Sequence, residues 1–323
     1  MKAWTARRYG GPDVLRLEDL PRPEPKAGEV LVRIRATTVN SADRRIRACD
    51  LPPGMNFLGR LALGWNGPRN VVLGTEYAGV VEAVGQGVTR FRPDDAVFAF
   101  PGGGMGTHAE YAVMSETGRI APLPQGLDFP TAAALSFGGT TALHFLRVAA
   151  LQPGETILVL GGSGAVGLAM VQIAAHRGAR VAATTSAANI DLVRAAGASK
   201  VIDYHATDLA TLSERFDIIA DTVAATDFPS AQPLLKPNGR YLAIAGGMRE
   251  MLASLRGGPD GKRMIVGPAS ERIEDMAELS RLATLGAYRP HIEKVYAFPD
   301  LPRAHAHADT GRKRGSVVVA LPK

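Results

Sequence analysis

Thr156-Ile157-Leu158-Val159-Leu160 runs straight into Gly161-Gly162-Ser163-Gly164-Ala165-Val166-Gly167, five β-prone residues feeding a glycine-rich turn. Val166, Met170 and Ile173 then recur at helical spacing and predict one buried face. In that strand–turn–helix context, the spacing of Gly162, Gly164 and Gly167 predicts a cradle for a dinucleotide pyrophosphate. Gly162 is expected to make the tight turn and Gly164 to let the backbone approach the phosphates. Gly167 is expected to let helix and strand pack closely. Ser163, Ala165 and Val166 complete the segment expected to face the cofactor. The helix N-terminus adds unbonded N–H groups and the positive end of its dipole. A glycine-rich turn that binds nothing is the bland alternative, and the flanking strand and helix weigh against it.

The next strand candidate ends Ala183-Thr184-Thr185-Ser186, and no acidic residue occurs between Glu155 and Asp191. An NAD-type site places a carboxylate there to bind the ribose 2′-hydroxyl, and that charge would repel a 2′-phosphate. Hydroxyls and amides donate to phosphate instead. Thr185, Ser186 and Asn189 are therefore candidate phosphate ligands, and NADP(H) is the expected cofactor. Ser and Asn also favour ordinary turns.

These groups need a scaffold, and the patterning supplies one. Val30, Val32, Ile34 and Ala36 alternate with Leu31, Arg33, Arg35 and Thr37, as in a half-buried strand. Tyr77–Val84 and Ala96–Phe100 read as further strands, with glycine and proline punctuation that suggests a compact β-rich domain. From about Pro130 the pattern turns helical and then alternates. Strands are expected at Thr156–Leu160, Arg180–Thr184, Val201–Asp203, Asp217–Asp221, Arg240–Ala245 and Lys262–Val266, the order of a doubly wound parallel sheet. A helix is expected around Ile273–Leu285, and the last strand-like run is Gly315-Ser316-Val317-Val318-Val319-Ala320-Leu321.

Bulk properties narrow the function. At 323 residues the chain has room for two domains. The net charge of +6 is scattered, with Arg312-Lys313-Arg314 the densest cluster, so no nucleic-acid partner is expected and most charge reads as solvated surface. No apolar run is long enough to span a membrane, and the first residues lack the apolar core of a secretory signal. Cys49 is the only cysteine, which excludes an internal disulfide and a multi-cysteine metal site. A cytoplasmic protein is the expectation.

Longer motifs carry a family resemblance. They are Tyr9-Gly10-Gly11-Pro12-Asp13-Val14-Leu15, Val39-Asn40-Ser41-Ala42-Asp43, Gly74-Thr75-Glu76-Tyr77-Ala78-Gly79-Val80-Val81 and Gly139-Thr140-Thr141-Ala142. Gly197-Ala198 before Val201-Ile202-Asp203-Tyr204, and Gly315 before the final strand, extend the match from end to end. The chain resembles the medium-chain dehydrogenase/reductase superfamily, most of all its zinc-independent quinone oxidoreductase branch. The resemblance implies a GroES-like β-rich catalytic domain at 1–123 and 287–323, and a Rossmann NADP-binding domain at 124–286. It also implies a homodimer, joined through edge strands of the Rossmann sheets.

Zinc-dependent relatives place metal ligands at positions that correspond here to Asn40, Thr75 and Phe137, none of them a good zinc ligand. The lobe with four cysteines that holds a structural zinc is missing too. His305 and His307 look like a metal pair but read as part of a solvated helix or loop. Without a metal to polarise a carbonyl, the expected acceptor is a quinone or an α,β-unsaturated carbonyl, which takes hydride from C4 of NADPH to give a delocalised anion. The reactants are expected face to face in a dry cleft between the domains.

Catalytic candidates are Asn40, as a hydrogen-bond donor beside the acceptor oxygen, and Asp43, as an organiser of the site. The bland readings are an Asn that satisfies a loop backbone and an Asp that pairs with Arg47. Resemblance further assigns Thr141 to the nicotinamide end and Val223, Ala245 and Gly246 to the nicotinamide ribose. It assigns Tyr204 to the adenosine phosphate and Arg312 to the adenine end. Residues 41–70 contain no tyrosine, where relatives carry one, and offer Met55, Phe57, Leu58, Leu61, Leu63 and Trp65 as an apolar acceptor pocket or as core. No side-chain proton donor is evident, which leaves water or a ribose hydroxyl. The alternatives are a zinc-free alcohol dehydrogenase or carbonyl reductase, and a low-turnover NADPH-binding structural or sensor protein.

Overall fold

The computed structural model describes residues 1–51 and 56–322. The chain divides into two compact units, Met1–Leu51 with Asn56–Phe137 and Glu271–Lys323, and a second centred on Gly138–Ser270. The first begins with a hairpin-like pair, β1 (Lys2–Ala6) antiparallel to β2 (Leu15–Asp19). β3 (Glu29–Val39) follows, then helices α1 (Ser41–Ala48) and α2 (Asn56–Leu63). Next come β4 (Tyr77–Val84), β5 (Ala96–Ala99), β6 (Tyr111–Ser115), β7 (Ile120–Pro122) and the short helix α3 (Phe129–Ala133).

Helix α4 (Ser136–Val148) leads into the second unit. There β8 (Thr156–Leu160), α5 (Ala165–His176), β9 (Arg180–Thr185), α6 (Ile190–Ala195) and β10 (Lys200–Asp203) alternate. They continue as β11 (Phe216–Asp221), α7 (Phe228–Ala231), β12 (Leu235–Ala243), α8 (Met248–Ser254) and β13 (Arg263–Val266). The chain then returns to the first unit as α9 (Glu274–Thr284), β14 (Ile292–Ala297), α10 (Leu301–Asp309) and β15 (Ser316–Ala320).

In the second unit the strands are all parallel, in the order β10-β9-β8-β11-β12-β13. This is the Rossmann order, and it reverses between β8 and β11, where such sheets open a crevice at their carboxyl ends. Leu158, Ile219, Leu242 and their neighbours are sealed on both faces, each contributing about 1.5–3 kcal/mol of burial. The expected strands fall on these elements with end shifts of a few residues. The largest shift is in β12, which begins at Leu235 rather than Arg240 and stops at Ala243, where Gly246 N–H turns back to the Ala243 carbonyl at 3.1 Å. Ala245 and Gly246 are therefore loop residues rather than strand residues.

The single buried face expected of α5 needs correction too. Leu168, Ala169, Met170, Val171, Ile173 and Ala174 are all buried, whereas Val166 is only half-buried. Enclosure on most sides erases the amphipathic period.

In the first unit β3 is the central strand. Its first half pairs with β6 and its last residues with β15, while β4 runs along the other edge. The half-buried alternation expected for β3 is also too simple, because Leu31, Thr37 and Thr38 are buried together with Val30, Val32 and Ile34. The threonine hydroxyls enter the interior because Glu76 accepts from them, through its backbone oxygen for Thr37 and its carboxylate for Thr38. Trp4, Val32, Ile34, Tyr77, Phe298 and Leu301 belong to the core of this unit. Among the described residues, no helix is long and apolar enough to cross a membrane.

Candidate active site

The nucleotide half of the candidate site sits at the carboxyl end of β8. The chain leaves the strand through Gly161, whose φ of +81° belongs to the left-handed region. The tight turn therefore rests on Gly161, not on Gly162 as the spacing suggested. A Cβ on Gly162 would lie 2.9 Å from the Ala183 Cβ, so that glycine is needed for packing against β9. Gly167 holds helix against strand as expected, since a Cβ there would lie 2.1 Å from the Gly161 carbonyl oxygen.

Gly164 differs from its neighbours. A Cβ would meet nothing closer than 3.6 Å, and as N-cap of α5 it brings no side-chain cap to the helix amides. The N–H groups of the first turn are left for an anion.

Ser186 and Asn189 face this turn from the end of β9. Asn189 Nδ2 donates to Ser186 Oγ at 3.1 Å and to Ser163 Oγ at 3.4 Å. Asn189 Oδ1 and Thr185 Oγ1 are buried without a hydrogen-bond partner. The uncapped amides of the glycine turn, the nearby Ser186 hydroxyl and the lack of any acidic residue between Glu155 and Asp191 in the sequence fit a phosphorylated dinucleotide. Thr185 itself is enclosed within the strand, 1% exposed. Tyr204 is tied to the same corner by its amide, 3.1 Å from the Thr185 carbonyl, and its exposed ring lies 4.4 Å from that of His205.

Across the switch point, Asp221 ends β11 fully buried and fixes the loop after it. Its Oδ1 accepts from Val223 N and Ala225 N, and its Oδ2 from Thr226 N and the Tyr241 hydroxyl. Val223 is thereby held exposed over the glycine turn, with its Cγ1 2.6 Å from where a Gly161 Cβ would stand. Sequence reading missed Gly161 and Asp221; a glycine doublet after a strand and an acid closing the next strand were the available signals. Thr141 lies half-buried on α4. Arg312 lies exposed in the first unit, its amide on the Thr310 hydroxyl.

The first unit builds a buried polar cluster at the carboxyl end of β3. Asn40 caps α1: its Oδ1 accepts from Ala42 N at 3.0 Å and Asp43 N at 3.3 Å. The Asp43 carboxylate accepts in return from Asn40 N at 2.9 Å, completing a capping box. Asn40 Nδ2 donates to the Thr75 hydroxyl at 2.7 Å. Glu76 accepts from the Thr38 hydroxyl at 2.5 Å and from Phe137 N at 2.6 Å. Asn40, Asp43, Thr75 and Glu76 are each at most 3% exposed.

Burial pushes Asp43 up to about 7, with the Glu76 charge adding to it and the Asn40 amide opposing. Burial likewise raises Glu76 to about 7, against hydrogen bonds from Thr38, Phe137 and Asn40. Lys313 reaches the same region from the tail. Its Nζ donates to the Gly315 carbonyl at 2.8 Å, and burial lowers its pKa while Glu76, Glu293 and Asp43 oppose the shift. Lys313 is thus an exception to the reading of the basic tail as solvated surface.

Two further expectations are corrected here. Arg47 does not pair with Asp43; its Nη2 donates to both carboxylate oxygens of Asp309, at 2.8 and 2.7 Å. His305 is not solvated. It is completely buried on α10 and packs edge to face on buried His108 at 5.2 Å, while His307 contacts Glu293 at 3.2 Å.

In the acceptor lobe, Phe57, Leu61 and Trp65 are 67%, 57% and 58% exposed, so they do not serve as core. Met55 and the Leu58 side chain lie outside the described residues. Zinc does not fit at Asn40, Thr75 and Phe137, whose donors are an amide engaged in capping, a hydroxyl and a hydrocarbon ring.

Comparison with known proteins agrees with this architecture. Residues 26–125 match the alcohol dehydrogenase GroES-like domain and residues 196–319 the zinc-binding dehydrogenase family. The chain is 32% identical to a quinone oxidoreductase of Pseudomonas aeruginosa, covering 96% of this chain and 97% of that one. It is 30% identical to a chloroplastic NADPH-dependent alkenal/one oxidoreductase of Arabidopsis thaliana, covering 99% and 79%. The solved structure of the quinone oxidoreductase from Coxiella burnetii superposes with a TM-score of 0.88 at 27% identity, covering 100% and 99% of the two chains. The catalytic GroES-like unit, the Rossmann sheet and relatives matched over nearly the whole chain together place this protein in the medium-chain dehydrogenase/reductase superfamily, in its quinone oxidoreductase-like branch.

Proposed function

We propose that the protein is a zinc-independent, NADPH-dependent reductase of quinones or α,β-unsaturated carbonyls. The observation that carries this reading is the open, uncapped turn at Gly164, faced by Ser186 and Asn189 in a stretch with no acidic residue between Glu155 and Asp191. When bound, the cofactor supplies a hydride from its nicotinamide ring.

The chain's own residues bind and orient. Main-chain amides of Gly164–Gly167 hold the pyrophosphate, and Ser186 with Asn189 donates to the 2′-phosphate. Val223, held by Asp221, and Ala245-Gly246 flank the nicotinamide ribose, while Thr141, Tyr204 and Arg312 take the roles that resemblance assigns them. Asn40 and Asp43 form the polar centre of the acceptor site, and Phe57, Leu61 and Trp65 give that lobe its apolar character.

With no metal donor set among the described residues, the acceptor must delocalise the charge it receives, which favours quinones and enones over simple aldehydes. Functionally, residues 1–123 with 287–323 serve the acceptor and 124–286 the cofactor. A homodimer formed through a Rossmann edge is supported by β13, which ends the six-stranded sheet with one edge unpaired.

The test is loss of reduced-nicotinamide absorbance with NADPH or NADH, in the presence of chelator, across quinones, enals, enones and simple aldehydes. Chelator-resistant, NADPH-preferring turnover of quinones or enones is expected. Turnover confined to simple aldehydes, or tight NADPH binding with no turnover, refutes the reading.

A further inference from the structure

Resting on this reading of the site, we infer that the hydrogen bond to the acceptor oxygen is donated by the Thr75 hydroxyl, and that Asn40 is the residue that aims it. The argument is one of hydrogen-bond inventory. An Asn side chain offers one oxygen and two N–H groups. In this structure the Asn40 oxygen is occupied by the Ala42 and Asp43 amides, and Nδ2 is directed to Thr75 Oγ1 at 2.7 Å and also toward the Glu76 carboxylate. Asn40 is therefore committed to its own helix and to its neighbour.

Thr75 is in the opposite condition. Its hydroxyl oxygen receives the Asn40 amide, so its own hydrogen must point elsewhere, and among the described residues it reaches no acceptor. Glu76 takes its hydrogen bonds from Thr38, Phe137 N and Asn40, and among the described residues none runs to it from the Thr75 hydroxyl. Asp43 Oδ1 is buried and makes no hydrogen bond, so it does not take the Thr75 proton either.

A hydroxyl on a residue that is 3% exposed, and that still has a hydrogen to place, is a donor preorganised for an oxygen the protein does not supply. The Asn40 N–H on its lone pair fixes the rotor and strengthens the donor, as linked hydrogen bonds polarise one another. Thr75 occupies the position at which zinc-dependent relatives place a metal ligand, so a hydroxyl donor takes over the polarising role at the same place. An enolate carries more charge on its oxygen than a reduced quinone and leans on that donor more.

The test uses the full-length chain with NADPH and two probes, 1,4-naphthoquinone and an alkyl vinyl ketone. Thr75→Ser keeps the hydroxyl and Thr75→Ala removes it, so their ratio isolates the O–H while sharing the loss of the methyl group. kcat/KM for the vinyl ketone is expected to be about 100-fold lower in T75A than in T75S. The quinone effect should be smaller and NADPH affinity equal in the two. Asn40→Ser, which retains a capping side chain, should lower kcat with the KM for NADPH unchanged.

Equal kcat/KM for T75A and T75S on every acceptor the parent protein reduces overturns the inference and leaves the reductase reading standing. Failure of the parent protein to reduce either probe overturns both. If T75A melts below the assay temperature, Thr75→Cys, a weak donor of similar size, takes its place, with the same ratio to T75S expected.

Discussion

Gly167 stands so close to Gly161 that a methyl group on it would lie 2.1 Å from the Gly161 carbonyl oxygen, whereas a methyl on Gly164 would lie 3.6 Å from the same atom. Two glycines of one motif thus answer to different constraints. Gly167→Ala forces helix and strand apart and should cost about 2–4 kcal/mol, read as a lower urea midpoint. Gly164→Ala should leave that midpoint within about 0.5 kcal/mol. Its methyl occupies the phosphate approach, so NADPH affinity measured by calorimetry should fall at least about tenfold. Equal stability loss in both variants refutes this division of labour.

Ser186 and Asn189 share a hydrogen bond at 3.1 Å beside the glycine turn, in a stretch without acids. Ser186→Asp places a carboxylate where the 2′-phosphate is expected. The ratio of kcat/KM for NADPH over NADH should drop by about 100-fold, the size of a charge clash of nearly 3 kcal/mol. An unchanged ratio would place the 2′-phosphate elsewhere.

Asp221 accepts from three backbone amides and the Tyr241 hydroxyl, and so determines where Val223 stands. Asp221→Ala strands those donors and should destabilise the protein by about 3 kcal/mol or more. Asp221→Asn keeps the shape but exchanges one acceptor for a donor, so the loop should loosen with a smaller stability loss. A raised KM for NADPH with little change in acceptor KM is the expected kinetic result, and unchanged kinetics would mean that the loop does not touch the cofactor.

The buried ionisable groups give opposite pH dependences that can be separated by mutation. Asp43 and Glu76 have folded pKa values raised to about 7, so their contribution to stability is full below the ordinary carboxylate pKa and is lost as pH rises toward and through 7. Glu76→Gln should reduce the stability lost between pH 5 and 8 by about 2 kcal/mol.

Burial lowers His108 to about 4 and lowers His305 well below its ordinary value, so each is neutral in the fold and protonated in the unfolded chain at pH 5. His108 therefore subtracts about 2 kcal/mol between pH 7 and pH 5, and His305 acts in the same direction. His305→Leu should make the acid limb of a urea-unfolding pH series shallower than that of the parent. An acid limb identical to that of the parent would show that His305 finds a partner when protonated.

Most of the scaffold could be read from the residues because strand and helix periods are local. β8, β11 and α9 fall close to where Thr156–Leu160, Asp217–Asp221 and Ile273–Leu285 predicted them. Expectations failed where a long-range partner decides the outcome. His305 read as surface because nothing nearby in sequence announces His108, almost two hundred positions away, against which it packs. Arg47 lies one helical turn from Asp43, yet its partner is Asp309 on the distant α10. Lys313 looked like one more solvated cation until the fold brought it toward Glu76 and Asp43. Asn40 and Asp43 were identifiable as a pair because a capping box is written in residues three apart, but the direction of the Asn40 amide depends on Thr75, which only the β3–β4 pairing brings near.

The register of β15 has a consequence for synthesis. Val317 to Ala320 pair with Val39 to Ala36, so one edge of the central strand of the first sheet is supplied by residues made only after the whole Rossmann unit. While the chain emerges from the ribosome, the Rossmann unit has all six strands by residue 266 and can close. The first sheet, begun earlier, waits with half an edge of β3 bare. Such an edge is an opening for pairing with another nascent chain. A nascent chain stalled shortly before Ser316 should therefore hold a protease-resistant second unit beside a first unit that still needs a chaperone.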